Sequence, residues 1–293
     1  MVNRLLWTAL ALPIASIVAG VAAAQPTPVS APGSGQTLQT ERGELYDFHP
    51  KAFVKKFGHE EYRIWTSPFR ASSYDTHTVK KYVVPFAIIA GALIATDTRT
   101  ADALPNTEDQ TVWSGRVSQI GAAYTLAGFS GATALVGHLV GNDHAVEAGL
   151  LALEALAHTQ VVVFGVKQIT NRSRPDRNDN VAGFWKGGDS FPSGHAASAF
   201  SVAAVFAYEY REHIAVPITA YAIAGAVSAS RLGARRHWFS DVFVGGSTGF
   251  LLGRYVYRKH HDPSLPGSAV RRSGLRPPEI SIAANGVAAM WRW

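Results

Sequence analysis

Six stretches of the chain are apolar for fifteen residues or more, and Ala, Gly, Leu and Val dominate them: Tyr82–Thr96, Val117–Val140, Ala145–Val166, His195–Tyr210, Ala215–Ala229 and Asp241–Tyr257. Runs of that length exceed a typical strand, few strand signals interrupt them, and short links join most of them. The pattern predicts an all-α fold, a helical bundle of about six core helices, with one longer polar loop over Asp97–Gly115. Hydrophobic residues are 47% of the 293, enough for a sizeable core. No internal repeat is visible.

The ends read differently. Residues 1–24 carry Arg4, the apolar run "LLWTALALPIASIVAGV" and small residues at Ala22–Ala24, which reads as an export signal. Residues 25–45 are a Pro/Gly/Ser/Thr-rich flexible linker. Residues 46–81 mix aromatics with Lys51, Lys55, Lys56, Arg63, Arg70, Lys80 and Lys81, and are expected to form a basic aromatic cap over the core. A membrane-surface segment is the other reading of that composition. The helical domain is expected over residues 82–260, followed by a loop and a small C-terminal β-hairpin over 261–293, turned at Asn285-Gly286. "KHHD" at Lys259–Asp262 reads as a solvated helix end.

Charge narrows the partners. The net charge of +6 favours anions, phosphate esters and anionic headgroups among them. The absence of cysteine excludes disulfides, thiolate metal sites and cysteine nucleophiles.

Three polar stretches break the apolar pattern: "KQITNRSRP" (Lys167–Pro175), "FPSGHAAS" (Phe191–Ser198) and "SRLGARRHWFSD" (Ser230–Asp241). The first two flank one loop between antiparallel neighbours, so both sit at one end of the bundle. The fourth helix runs away from that end and the fifth returns, so the third stretch joins them there. At the start of the fourth helix, backbone amides and the positive end of the helix dipole face an anion. Gly194 lets the backbone come close, and Lys167, Arg174 and Arg231 add charge-assisted contacts suited to a tetrahedral oxyanion. His237 and Asp241 are four apart and share a helical face, so the carboxylate can hold the imidazole in one tautomer.

The set K-x6-R-P, P-S-G-H and S-R-x5-H-x3-D resembles the signature of the type 2 phosphatidic acid phosphatase and vanadium haloperoxidase superfamily. Lys167, Arg174 and Pro175 fill the first part, Pro192, Ser193, Gly194 and His195 the second, and Ser230, Arg231, His237 and Asp241 the third. The resemblance covers about residues 82–257. It implies a bundle of the acid phosphatase/haloperoxidase type. It also implies a phosphatase for phosphate monoesters or lipid (pyro)phosphates that works through a phosphohistidine without metal or cofactor. His237 would be the nucleophile, His195 the general acid and Asp241 the residue that orients His237. Lys167, Arg174, Ser193, Gly194 and Arg231 would bind the phosphoryl oxygens.

Two other readings compete. A vanadate-dependent haloperoxidase could use the same residues, but no large inserted domain accompanies them. A non-enzymatic basic membrane binder fits the charge yet leaves the spacing of His195, His237 and Asp241 unexplained, and nucleic acid is not an expected partner. Arg172, Arg177, Arg235 and Arg236 lie beside the motifs as either substrate contacts or solvated surface. His138, His144 and His158 are taken as structural, and Glu147, Glu154 and His158 as an internal polar contact. Because those polar groups interrupt the longest segments and others fall short of about 20 residues, a soluble bundle is favoured. It is expected to be exported, in the periplasm or on the extracytoplasmic face of a membrane; an embedded bundle stays open.

Overall fold

A computed structural model of the chain describes residues 50–70, 76–176, 182–265, 279–283 and 286–290. The export signal and linker expected over 1–45, and Arg177, lie outside them. Eight helices follow one another: α1 (Pro50–Thr66), α2 (Thr76–Asp102), α3 (Glu108–Ser118), α4 (Ala123–Val140), α5 (Asp143–Thr170), α6 (Gly194–Glu209), α7 (Ala215–Gly233) and α8 (Phe239–His260). Their starts follow from local chemistry. Asn142 Oδ1 accepts from the Ala145 amide at 3.1 Å and Thr107 Oγ1 from the Gln110 amide at 3.2 Å, each serving as an N-cap. Gly141 and Asn171 end α4 and α5 in the left-handed region, at φ 71° and 41°.

Helix α6 is central, since eleven of its sixteen residues are buried. The core around it joins Ala152, Ala155 and Leu156 of α5, Val202, Val205 and Phe206 of α6, Val227 of α7 and Val256 of α8. The α6–α8 contact is the most extensive in the bundle, and glycine makes it possible. A Cβ on Gly245 would stand 2.5 Å from the Ser193 carbonyl oxygen, one on Gly249 2.0 Å from that of Ala197, and one on Gly253 2.3 Å from that of Ser201. These glycines recur every four residues, so one stripe of α8 lies bare against the backbone of α6. That contact brings the first turns of both helices together.

Two expectations are corrected. The polar loop placed over Asp97–Gly115 is helical for most of its length, because Asp97 lies inside α2 and Glu108–Ser118 form α3. Thr107 caps α3, and Glu108 and Asp109 in its first turn suit the helix dipole. The solvated helix end expected at "KHHD" is paired instead. Lys259 Nζ is 2.7 Å from Glu60 Oε1, His260 Nδ1 2.9 Å from Glu154 Oε2 and His261 Nδ1 3.1 Å from Glu147 Oε2. The partners come from α1 and α5, which no local pattern around Lys259 reveals.

Helix α1 belongs to the basic aromatic stretch expected to cap the core. It runs beside α5, with Phe57 stacked on His158 at 4.2 Å and Trp65 filling the space that a Cβ on Gly165 would need.

The outer surface is apolar. α2, α4, α5 and α7 are long and apolar enough to cross a membrane. In residues 84–102 of α2 only Asp97 and Ala101 are buried, while Ile88 is 66% exposed; Leu139 of α4 is 74% exposed. Water tolerates isolated exposed apolar side chains but not whole helical faces of them. The soluble bundle is therefore not favoured. Most of the polar groups that argued for it are turned inward, though His138 is exposed: Glu147 and Glu154 meet His261 and His260, and His158 Nδ1 lies 2.7 Å from Glu61 Oε1.

Asp262–Trp293 form a second unit. Within it β1 (Glu279–Ala283) and β2 (Gly286–Met290) pair antiparallel, with Ile280 opposite Ala289.

Gly249→Val should cost about 3 kcal/mol or more through overpacking against the α6 backbone. Gly91→Ala, where a Cβ meets nothing within 4 Å, should be neutral or gain a few tenths of a kcal/mol. Thermal unfolding in detergent separates the two.

Candidate active site

Four helix ends meet at one end of the bundle. α5 ends there and α6 begins; α7 ends there and α8 begins. Lys167 sits in the last turn of α5, Ser193 caps α6, Gly194 and His195 open it, Arg231 lies in the last turn of α7, and Asp241 is in the first turn of α8. Arg174 and Asp189 come from the loop between α5 and α6, and His237 from the link between α7 and α8.

His237 is buried and its Nδ1 lies 2.7 Å from the Ser190 carbonyl oxygen. A carbonyl only accepts, so Nδ1 carries the proton and Nε2 keeps its lone pair. Asp241 reaches the same Nδ1 only at 3.6 Å, beyond a hydrogen bond. Asp241 Oδ2 accepts from Ser190 Oγ and from the Trp238 amide at 2.8 Å, while the Ser190 carbonyl accepts from His237 Nδ1–H. Asp241 is thus linked to His237 through Ser190 and places its negative charge beside the imidazole.

The residue that holds Asp241 is Arg172, which the motif reading left between substrate contact and solvated surface. It is fully buried. Its Nη1 donates to Asp241 Oδ1 and to Ser240 Oγ, both at 2.6 Å, and its Nη2 to Asp97 Oδ2 at 2.7 Å. The guanidinium lies over the Phe184 ring at 4.6 Å, with Phe191 and Trp238 near by. Asp97 in turn accepts from the Ser240 amide at 3.1 Å. No spacing rule links Asp97, Arg172 and Asp241, so sequence reasoning missed both Arg172 and Asp97. The available signal was an acid directly after the apolar run Tyr82–Thr96.

Three cations, Lys167, Arg174 and Arg231, gather near the imidazoles. Arg174 Nη2 donates to Asp189 Oδ2 at 2.8 Å, and Lys167 Nζ stands 4.0 Å from the same oxygen. Arg231 donates from Nη1 to Ser118 Oγ at 2.8 Å, and its buried Nε, like that of Arg174, has no hydrogen-bond partner. Ser193 spends its Oγ on the helix cap, accepting from the Ala196 amide, and its own amide donates to the Asp241 carbonyl at 2.9 Å. Gly194 leaves room for an approaching group. Arg236 pairs outward with Asp176 at 2.8 Å, and Arg235 donates to the Ala101 carbonyl at 3.1 Å.

This crowding sets the charge states. Burial, then the fields of Arg231, His237, Lys167 and Arg174, push His195 down to about 3. Burial also lowers His237, against the opposing pull of Asp241. Both imidazoles are therefore neutral at pH 7. Burial acts to raise Asp189, but Arg174 and Lys167 outweigh it and hold the carboxyl below its usual range. The arrangement is a pocket of three cations, two neutral imidazoles and two helix N-termini, with an aspartate on part of the positive charge. It suits a dianion.

Residues 148–264 match the family model described as the PAP2 superfamily. This region belongs to the PAP2 superfamily. Lipid A 1-phosphatase of Porphyromonas gingivalis is 39% identical to the chain over 70 residues, 24% of this chain and 16% of that protein. The chain therefore matches about a sixth of that relative's length. Among solved structures, the transmembrane PAP2-type phosphatidylglycerolphosphate phosphatase from Bacillus subtilis is 24% identical, with a TM-score of 0.48 over 63% of this chain and 96% of that one. LpxE of Aquifex aeolicus is 21% identical, with a TM-score of 0.40 over 60% and 94%.

Arg172→Leu leaves Asp97 and Asp241 buried without their shared cation and should destabilise the protein by about 3–5 kcal/mol. Arg172→Lys keeps the charge but loses the fork, so it should recover only part of that loss. Denaturant or thermal unfolding of the three proteins checks the order.

Proposed function

We propose that the protein is a membrane-embedded phosphatase that hydrolyses a phosphate monoester or pyrophosphate on a lipid, through a phosphohistidine intermediate. One observation carries the reading: a neutral His237 with its Nδ1 proton held and its Nε2 free stands beside a second neutral imidazole and three cations.

The chemistry follows from those states. Lys167, Arg174 and Arg231, with the Gly194 amide, hold the phosphoryl oxygens and draw charge as it spreads in the transition state. His237 Nε2 attacks phosphorus, the N–P bond forms and the ester P–O bond breaks. The leaving alkoxide takes a proton from His195. Water then attacks the phosphohistidine, gives a proton to His195 and releases inorganic phosphate and neutral His237. The negative end of Asp241, relayed by Ser190, steadies the imidazolium while it exists. The positive charge is supplied by side chains, and the reaction as written uses no metal or cofactor.

His195 must be protonated in the first step although it is neutral in the free site. A bound dianion cancels the cations that depress it and raises its affinity for a proton. The free site thus binds substrate and the proton arrives with it.

A lipid is favoured by the surroundings. An apolar cavity of about 640 Å³ opens between α2 and α8, lined by Tyr82, Phe86, Phe243 and Phe250. Its wall includes Val242, the neighbour of Asp241, so an acyl chain lying there has its headgroup near the cations. The similarity to lipid A 1-phosphatase over 70 residues agrees with a phosphorylated lipid. The exposed apolar faces of α2 and α4 fit a bilayer around the bundle.

His237→Ala should lower phosphate release from phosphorylated lipid in detergent micelles by about 10³-fold or more. Release at the wild-type rate would falsify the assignment.

The pH profile has a defined sign. Because His195 is neutral and burial lowers His237 as well, kcat/KM should rise as pH falls from about 8 to about 6. His195→Ala should be slower and should lose that dependence.

Asp189 competes with phosphate for Lys167 and Arg174. Asp189→Asn should tighten inhibition by inorganic phosphate by roughly fivefold, about 1 kcal/mol for a half-exposed ion pair.

A further inference from the structure

We infer a second site, a zinc-class divalent-cation site built from His158, Glu60 and Glu154, which ties α1 to α5. His158 lies nine residues before Lys167 on α5, about 13 Å away along the helix axis, so this site is separate from the phosphate pocket.

The ligand atoms already face one another. One donor atom from each of the three residues lies within 4.8 Å of the others. His158 Nε2 and Glu60 Oε2 are 3.3 Å apart. His158 and Glu60 are 0% and 1% exposed, and neither of those two atoms has a hydrogen-bond partner. Two buried acceptors pointed at each other are unfavourable unless a positive centre joins them. Around an ion with bonds of about 2.1 Å, tetrahedral donors stand about 3.4 Å apart, close to the separation found here.

The surrounding contacts fit ligand duty. His158 Nδ1 is 2.7 Å from Glu61 Oε1, so Nδ1–H donates to the carboxylate and Nε2 is left as a lone-pair donor. Phe57 stacks on the imidazole at 4.2 Å and 8°, which fixes the ring plane. The remaining carboxylate oxygens are also positioned. Glu60 Oε1 accepts from Lys259 at 2.7 Å and lies 3.0 Å from His260 Nε2, and Glu154 Oε2 lies 2.9 Å from His260 Nδ1. One imidazole and two carboxylates, with a fourth position for water, suit zinc and its first-row neighbours better than calcium or magnesium. The alternative is a proton: an imidazolium gripped by Glu60 and Glu61. It would pair with Glu61 at 2.7 Å and with Glu60 at 3.3 Å, and in that case wild type binds no zinc.

The test uses the untagged full chain in detergent, stripped with EDTA and titrated with zinc chloride. Wild type should bind one equivalent of zinc, and its melting temperature should rise with zinc. Glu154→Gln should melt with wild type in EDTA, bind zinc at least tenfold more weakly and lose the rise. Glu209→Gln changes the separate His144–Glu147–Glu209 group and should bind zinc as wild type does. Absence of zinc binding by wild type, or equal binding by Glu154→Gln, overturns the proposal. Should Glu154→Gln not fold, zinc-edge X-ray absorption on wild type decides. One nitrogen ligand among oxygens supports the site, and two or more imidazole ligands refute it.

Discussion

The buried guanidinium of Arg172 organises the catalytic end of the molecule. It sits fully out of water between Asp97 of α2 and Asp241 of α8, and the loop that carries it also carries Arg174. A buried cation is stable only if its charge and its donors are met, and here two carboxylates and a serine meet them. The converse holds as well, because without it Asp97 and Asp241 would be buried carboxylates stripped of their shared cation. Three segments remote in sequence are thereby locked in one arrangement. Asp241 can then hold Ser190, and Ser190 can hold His237.

That arrangement explains how a strongly cationic pocket coexists with neutral imidazoles. Burial and the nearby cations keep both imidazoles unprotonated. In the proposed mechanism that state suits His237 as nucleophile, and a bound dianion would reverse the balance at His195. Asp189 fills part of the positive field and limits the cost of gathering Lys167 and Arg174. The glycine stripe of α8 has a geometric part in this. Without the backbone contact at Gly245 and Gly249, the first turns of α6 and α8 could not approach closely enough for the Ser193 amide to reach the Asp241 carbonyl.

Much of the site was legible in the sequence, because loops at one end of an antiparallel bundle must meet and their motif residues are few and polar. Lys167, Arg174, His195, Arg231 and His237 fall where helix order puts them. The partners of Asp241 were not legible. Whether a carboxylate touches a histidine four residues away or a serine fifty-one residues away depends on ångström differences in how α8 enters the bundle. The soluble reading failed for a related reason: Glu147, Glu154 and His158 look hydrophilic along the chain, and only their inward pairing frees the outer faces to be apolar.

By itself the sequence determined an all-helical bundle, its helix order, and the three motifs that converge on an anion. Those properties depend on periodicity, run length and short links, which are local. The tertiary structure decided that Arg172 is a buried strut, that Ser190 stands between Asp241 and His237, that Lys259, His260 and His261 are paired with α1 and α5, and that Asp97 belongs to the site. Each of these is a contact between polar groups far apart in the chain. Such contacts are fixed by packing and by the need to satisfy buried charge, and a linear pattern does not encode them.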